Sequence, residues 1–164
     1  MLDGDERVAE FVGGTIYQAF LSALSYHRWH SPVTGKIVAT RHAAGTYYSE
    51  LLSEGADPGG PDESKGYITQ IATRAMIFIQ ADHPKIGLLG FLGVGRNEVS
   101  TCEVTVKAGD RVTKGDQLGM FHFGGSTHCL LFRPGVDLTF NTHGQKPGLK
   151  TKNIEVRARI ARVA

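Results

Sequence analysis

Apolar residues in this chain come in short runs cut by glycine, proline and acidic turns. Leu118–Phe123 and Thr127–Phe132 are two strand-like runs separated by Gly124-Gly125-Ser126. Cys102, Val104 and Val106 alternate with Thr101, Glu103 and Thr105, the period-two pattern of a half-buried strand. Ile154, Val156, Ala158 and Ile160 alternate in the same way with Glu155, Arg157 and Arg159, which predicts a half-buried terminal strand. Tyr67–Ala81 and Ile86–Gly93 predict two buried strands joined by the Asp82-His83-Pro84 turn. Lys36–Ala39, after a Thr34-Gly35 turn, and Val136–Phe140, after Pro134-Gly135, add shorter ones. Gly14–Leu24 carries two signals. Ile16, Ala19, Phe20, Ala23 and Leu24 have helical spacing, whereas Thr15-Ile16-Tyr17-Gln18 suits a strand start. The reading adopted is a strand over 14–21 followed by a helical turn. Residues 1–10 are polar and acidic and are expected to fray. Ser49–Lys65, with Gly55, Pro58, Gly59, Gly60 and Pro61, is expected to be a long loop.

Eight or nine short strands with tight turns and little helix predict a mostly β (α+β) fold. Its core is expected to be an antiparallel β-sandwich, barrel-sandwich-like, with few short helices. A length of 164 residues predicts one domain over 1–164. A net charge of +2 is too mild to argue for nucleic acid as a partner. Lys146, Lys150, Lys152, Arg157, Arg159 and Arg162 gather late in the chain, as on a solvated face. Cys102 and Cys129 match no metal pattern or disulfide framework, so both are expected to be reduced and partly buried. No basic stretch followed by an apolar core opens the chain, and the longest apolar run, from Ile86, stops at Arg96. A cytoplasmic location, soluble or peripheral to the membrane, is the expectation.

Two stretches carry candidate chemistry. The first is Phe123-Gly124-Gly125-Ser126-Thr127. Two glycines before a hydroxyl fit a bulge or tight bend within a strand. On spacing alone that is the favoured reading; the sharper one is a peptide bond set for attack by the Ser126 hydroxyl on the Gly125 carbonyl. The second stretch is Tyr26-His27-Arg28-Trp29-His30-Ser31-Pro32, with two histidines, an arginine and the only tryptophan within four residues. His27 and His30 suit a surface turn or convergence on one pocket. Metal ligation is the weaker reading, because no third ligand follows at a suitable spacing.

Val106–Phe121, with turns at Gly109-Asp110 and Lys114-Gly115-Asp116, resembles the hammerhead hairpin of lipoyl and biotin carriers. No Met-Lys-Met or Asp-Lys-Ala is present, which argues against a carrier. The same hairpin leading into Gly124-Gly125-Ser126-Thr127 resembles the phosphatidylserine decarboxylase family. So does Tyr26–Pro32, which is similar to that family's Tyr-His-Arg-x-His-x-Pro signature, in the family's order. The resemblance covers about Gly14 to Phe140. It implies a self-processing carboxy-lyase whose cofactor is a covalent pyruvoyl group derived from Ser126. Cleavage falls between Gly125 and Ser126, and the pieces 1–125 and 126–164 stay associated; a homodimer is compatible with it. By the family's pattern His30 is the base for Ser126, and His27 serves decarboxylation. Arg28 and His128 are candidates to hold a substrate carboxylate or phosphate.

The resemblance has departures. The family's upstream aspartate and membrane-binding N-terminal helices have no counterpart, and Asp3 lies too near His30 to replace that aspartate. Gly-Gly-Ser replaces the commoner Leu-Gly-Ser, and Thr73-Arg74 stands where Asn-Glu-Arg is frequent. These features resemble the divergent decarboxylase-like branch, which includes soluble enzymes acting on aromatic amino acids. The implied substrate is therefore a phospholipid, phosphatidylserine, or alternatively a free amino acid. A homologue that keeps the fold without maturing is the non-catalytic reading.

Overall fold

A computed structural model describes residues 1–21, 26–52, 63–95, 101–122, 126–146 and 152–164. Eleven strands and two short helices follow one another along the described residues. They are α1 (Val8–Phe11), β1 (Thr15–Leu21), β2 (Arg28–His30), β3 (Gly35–Ala43) and α2 (Lys65–Ile71). Then come β4 (Arg74–Ala81), β5 (Leu88–Val94), β6 (Thr101–Val104), β7 (Arg111–Val112) and β8 (Gln117–His122). β9 (Ser126–Phe132), β10 (Leu138–Phe140) and β11 (Ala161–Val163) complete the chain.

The strands form a six-stranded sheet in the order β1-β9-β5-β4-β3-β7, a three-stranded sheet β2-β8-β6 and the pair β10-β11. Every strand pairing is antiparallel. The sheets do not close into a barrel, so the expected antiparallel sandwich is what forms.

Two apolar layers hold it. Between the large sheet and the small one lie Trp29, Ile37, Ile77, Ile79, Leu89, Phe91, Leu118, Phe121 and Leu130. On the other face of the large sheet, Met76, Phe78, Leu92, Val94, Cys129 and Leu131 pack with Leu2 and with Ile68 of α2. β4 and β5 are therefore buried on both faces, which is why their sequences read as unbroken apolar runs. Removing apolar surface from water stabilises by roughly 25 cal/mol per Å² and is the main drive for this assembly.

Three local expectations need correction. Tyr67–Ile71 is not the start of a strand but part of α2. Ile68 and Ala72 lie four apart, so a helix puts both on the sheet, and Ala72 N–H donates to Ile68 O at 2.8 Å. Tertiary burial outweighs the β-branched composition there. The terminal strand begins at Ala161 rather than Ile154. Arg157 has φ 68 and Ala158 N–H bonds back to Glu155 O, a turn that breaks the alternation and leaves Val156 51% exposed. The N-terminal residues are tied down rather than frayed. Leu2 and Asp5 are buried, Arg7 bonds both oxygens of Asp5, and the buried Arg74 reaches Met1 O at 2.6 Å and Asp3 at 3.9 Å. The strand over 14–21 stands as β1; the helical turn after it falls mainly on 22–25, outside the described residues.

Candidate functional site

β8 ends at His122 in the small sheet, and β9 begins at Ser126 in the large one. Ser126 thus stands where the chain enters the large sheet after leaving the small one; residues 123–125 are outside the described residues. Ser126 is opposite Leu21 in the register of β1 and β9.

The next residue anchors that crossing. Thr127 Oγ1 donates to Ala19 O at 2.8 Å and accepts from Gln18 Nε2 at 3.2 Å. Gln18 Nε2 also reaches Thr69 Oγ1 at 3.0 Å, and Thr69 donates to Lys65 O at 2.7 Å. Sheet and helix therefore clamp the first turn of β9 through Gln18, Thr69 and Thr127. No local sequence signal marks these three, because Gln18 and Thr127 are 109 positions apart.

β2 and the residues flanking it carry the histidine signature. Trp29 is 3% exposed and points into the sandwich, edge-on to Phe121 at 4.7 Å and tilted against Phe91 at 5.4 Å. It fits because two glycines face it: a Cβ on Gly93 or Gly119 would come within 2.6 or 2.7 Å of its ring. His27 stands edge-on to Phe121 at 6.3 Å, its backbone carbonyl accepting from Phe121 N–H at 3.0 Å. Phe121 is the penultimate residue of β8, so His27 is at the end that leads into 123–125. The His27 Nε2 and Trp29 Nε1 atoms are buried and have no hydrogen-bond partner among the described residues.

Arg28 and His30 are engaged elsewhere. Arg28 donates to Gln117 Oε1 at 2.8 Å on the exposed side of β2. His30 pairs with Gln117, the first residue of β8, and its Nδ1 lies 2.8 Å from Gly115 O. That carbonyl accepts only, so Nδ1 carries the proton and Nε2 accepts from the Tyr26 hydroxyl at 2.7 Å. The Tyr26 ring stacks on His30 at 5.6 Å. The fold therefore brings His27 to the Gly-Gly-Ser end of β8 and His30 to the opposite end.

His128 is two residues into β9. It stacks on Phe91 at 5.8 Å and 12°, with Tyr17 6.1 Å away. Burial pushes its pKa down to about 4, so the imidazole is neutral at neutral pH and offers no positive charge to a carboxylate. Cys102 and Cys129 are free and buried, and burial lifts their thiols to about 11 and about 12, which leaves them unreactive. Glu103 pairs with His122 at 2.5 Å across β6 and β8, beside the crossing. Among the described residues no helix is long and apolar enough to cross a membrane.

Ser126 thus opens β9, the Thr127 side chain next to it is anchored to Ala19 and Gln18, and His27 lies at the end of β8 that leads toward it. Comparison with known proteins agrees. The family model described as phosphatidylserine decarboxylase matches residues 1–157. The chain is 45% identical to Decarboxylase iboD of Amanita muscaria, covering 99% of this chain and 49% of that protein. It is 39% identical to the L-tryptophan decarboxylase of Psilocybe cubensis, over 98% of this chain and 38% of that one. It is 32% identical to the phosphatidylserine decarboxylase proenzyme of Ruminiclostridium cellulolyticum, over 90% of this chain and 47% of that one. The chain thus spans half or less of the length of these relatives, and it belongs to the phosphatidylserine decarboxylase family.

Proposed function

We propose that the protein is a pyruvoyl-dependent decarboxylase that cleaves itself between Gly125 and Ser126 and acts on a free aromatic amino acid. The observation that carries this is the conjunction of Ser126 at the opening of β9 with the unpartnered His27 Nε2 at the adjoining end of β8. The residues fit such a group. A buried nitrogen left without a partner costs about 1–3 kcal/mol, and His27 Nε2 has none among the described residues, which favours a polar group at this site. When present, the pyruvoyl group supplies an electron sink for the carbon that loses CO2.

The chain's own residues prepare and serve that group. The Ser126 hydroxyl is a weak nucleophile and needs a neighbouring base. His27 is the histidine at this end; as the free imidazole it would take the serine proton, and as the imidazolium it would later deliver a proton to substrate carbon. His30 is the competing base. Its Nε2 lone pair is available in the right tautomer, but Tyr26 occupies it and Gly115 holds the ring. Gln18 and Thr127 keep the start of β9 from shifting while the peptide bond breaks. Trp29 and Phe121 shield the site from water.

Identity to amino-acid decarboxylases supports the free amino acid. The second reading, phosphatidylserine converted to phosphatidylethanolamine, is supported by the family name and by the proenzyme relatives.

Intact mass spectrometry of the denatured protein tests the cleavage. Two pieces, 1–125 and 126–164, the smaller blocked at its N-terminus, are expected, with one uncut chain for Ser126→Ala. An uncut unmodified chain sinks the proposal. His27→Ala and His30→Ala, compared for cleavage and then for CO2 release, separate the two histidines. Turnover of free aromatic amino acids against serine-headgroup vesicles decides the substrate.

A further inference from the structure

The rings around His128 form a continuous array. Phe140 stacks on Tyr17 at 5.9 Å and 15°, Tyr17 lies 6.1 Å from His128, and His128 stacks on Phe91 at 5.8 Å and 12°. Phe91 then meets Trp29 at 5.4 Å. The array runs from the 39% exposed Phe140 to the 3% exposed Trp29, so it connects solvent with the interior.

Its place along the strands matters. His128 is opposite Ala19 on one side and Gly93 on the other, so the residues directly across from it are small and the ring beside it from β1 is that of Tyr17. A strand rises about 3.3 Å per residue, which puts the His128 backbone ~7 Å from that of Ser126. Aromatic rings attract one another at centroid distances of about 4.5–7 Å. A planar side chain joined to a group at position 126 therefore reaches this array.

The array also carries polar atoms that lack partners. Trp29 Nε1 is buried without one among the described residues, as is His27 Nε2 against the neighbouring Phe121. A run of aromatic rings with two unpaired ring nitrogens beside it matches a ring that bears its own hydrogen-bonding group, such as an indole or a phenol. It matches neither an acyl chain nor a phosphate. Because burial keeps His128 neutral, it stacks rather than forming an ion pair.

We propose that Tyr17, Phe91 and His128 form the subsite that receives the aromatic side chain of the substrate, with Tyr17 and His128 setting specificity. The inference rests on the decarboxylase reading for the position of the reacting carbon.

Trp29 is the sole tryptophan and belongs to the array, so its emission reports occupancy. The protein is titrated with 2-phenylethylamine, tyramine, n-butylamine and phosphoethanolamine, and its cleavage state is recorded by intact mass. Saturable shifts with the two aromatic amines only are expected. Tyr17→Leu and His128→Leu should weaken them about tenfold, a stacking-sized loss, while Tyr17→Phe retains the 2-phenylethylamine affinity. Urea midpoints confirm that the variants are folded, and the half-buried Tyr17 pair stands alone if His128→Leu is not. An equal response to n-butylamine or phosphoethanolamine, no saturable shift, or unchanged affinity in Tyr17→Leu overturns the subsite. Cleaved protein without aromatic discrimination refutes the subsite alone. Aromatic binding by an uncut chain refutes the decarboxylase reading and leaves the subsite standing.

Discussion

Gly93→Ala tests whether Trp29 is truly wedged between the two sheets. The new Cβ would lie 2.6, 2.8 and 3.0 Å from Cζ2, Cη2 and Cε2 of Trp29. Carbon atoms prefer about 3.5–4.0 Å, so the indole must retreat by roughly 1 Å. It has nowhere to go. The Gly119 backbone lies so close to its other edge that a Cβ there would come within 2.7 Å of the ring, and Phe121 and Phe91 pack on the remaining sides. Overpacking of this kind costs about 1–3 kcal/mol. Against it stands the gain of ~0.4–1 kcal/mol that alanine brings by restricting the unfolded chain. Gly93 has no positive φ, so backbone strain does not enter. The net expectation is a loss of roughly 1–2 kcal/mol. Urea unfolding measures it, followed by Trp29 emission and by far-ultraviolet circular dichroism. A cycle with Trp29→Phe isolates the clash, because phenylalanine lacks the crowded ring atoms; the two changes should couple by about 0.5–3 kcal/mol. Since His27 is two residues before Trp29, just ahead of β2, self-cleavage should also slow. A Gly93→Ala protein as stable as the parent, with no coupling to Trp29, would refute the wedge and with it the account of how His27 is positioned.

Other changes have equally definite outcomes. Thr127→Val removes the hydroxyl that joins Ala19 O to Gln18, so cleavage followed by mass spectrometry should slow at least tenfold, worth ~1.4 kcal/mol, with the fold retained. For His128, the unfolded chain binds a proton near pH 6.5 and the folded chain near pH 4. Its contribution is therefore fully present above about 6.5 and is lost as pH falls to 4, by up to about 3 kcal/mol. His128→Phe should flatten the pH dependence of the urea midpoint over that window, and an NMR titration of His128 near 6.5 would contradict the burial argument. At Asp5, burial raises the carboxyl, but the Arg7 backbone N–H and guanidinium, with Arg41, outweigh it and hold the pKa below 3.8. Asp5→Asn should destabilise at pH 7, and the difference from the parent should shrink as pH falls below about 4.

The sandwich class was legible because it depends on local pattern. Short alternating or unbroken apolar runs between glycine and proline turns leave few options other than an antiparallel sheet. Tyr67–Ile71 was misread because its β-branched residues fit strand and helix equally, and only the apolar face of β4 and β5 chose the helix. Ile154–Ile160 was misread because alternation needs a partner strand, and the described neighbour of the C-terminal segment, β10, pairs only from Ala161.

Chemistry divided along the same line. Ser126 between two apolar runs and the His27–His30 pair were visible in the chain as it stands, because motif order survives without coordinates. Which histidine faces the crossing was not, since it depends on the bulge between Trp29 and His30 and on the register of β2 against β8. Nor were the Gln18–Thr69–Thr127 clamp and the Tyr17–His128–Phe91 stack, whose members come from distant parts of the sequence. Local periodicity records which residues are buried, because water acts on each residue separately. The partners that buried residues meet depend on sheet order and register, which the chain reaches only by folding.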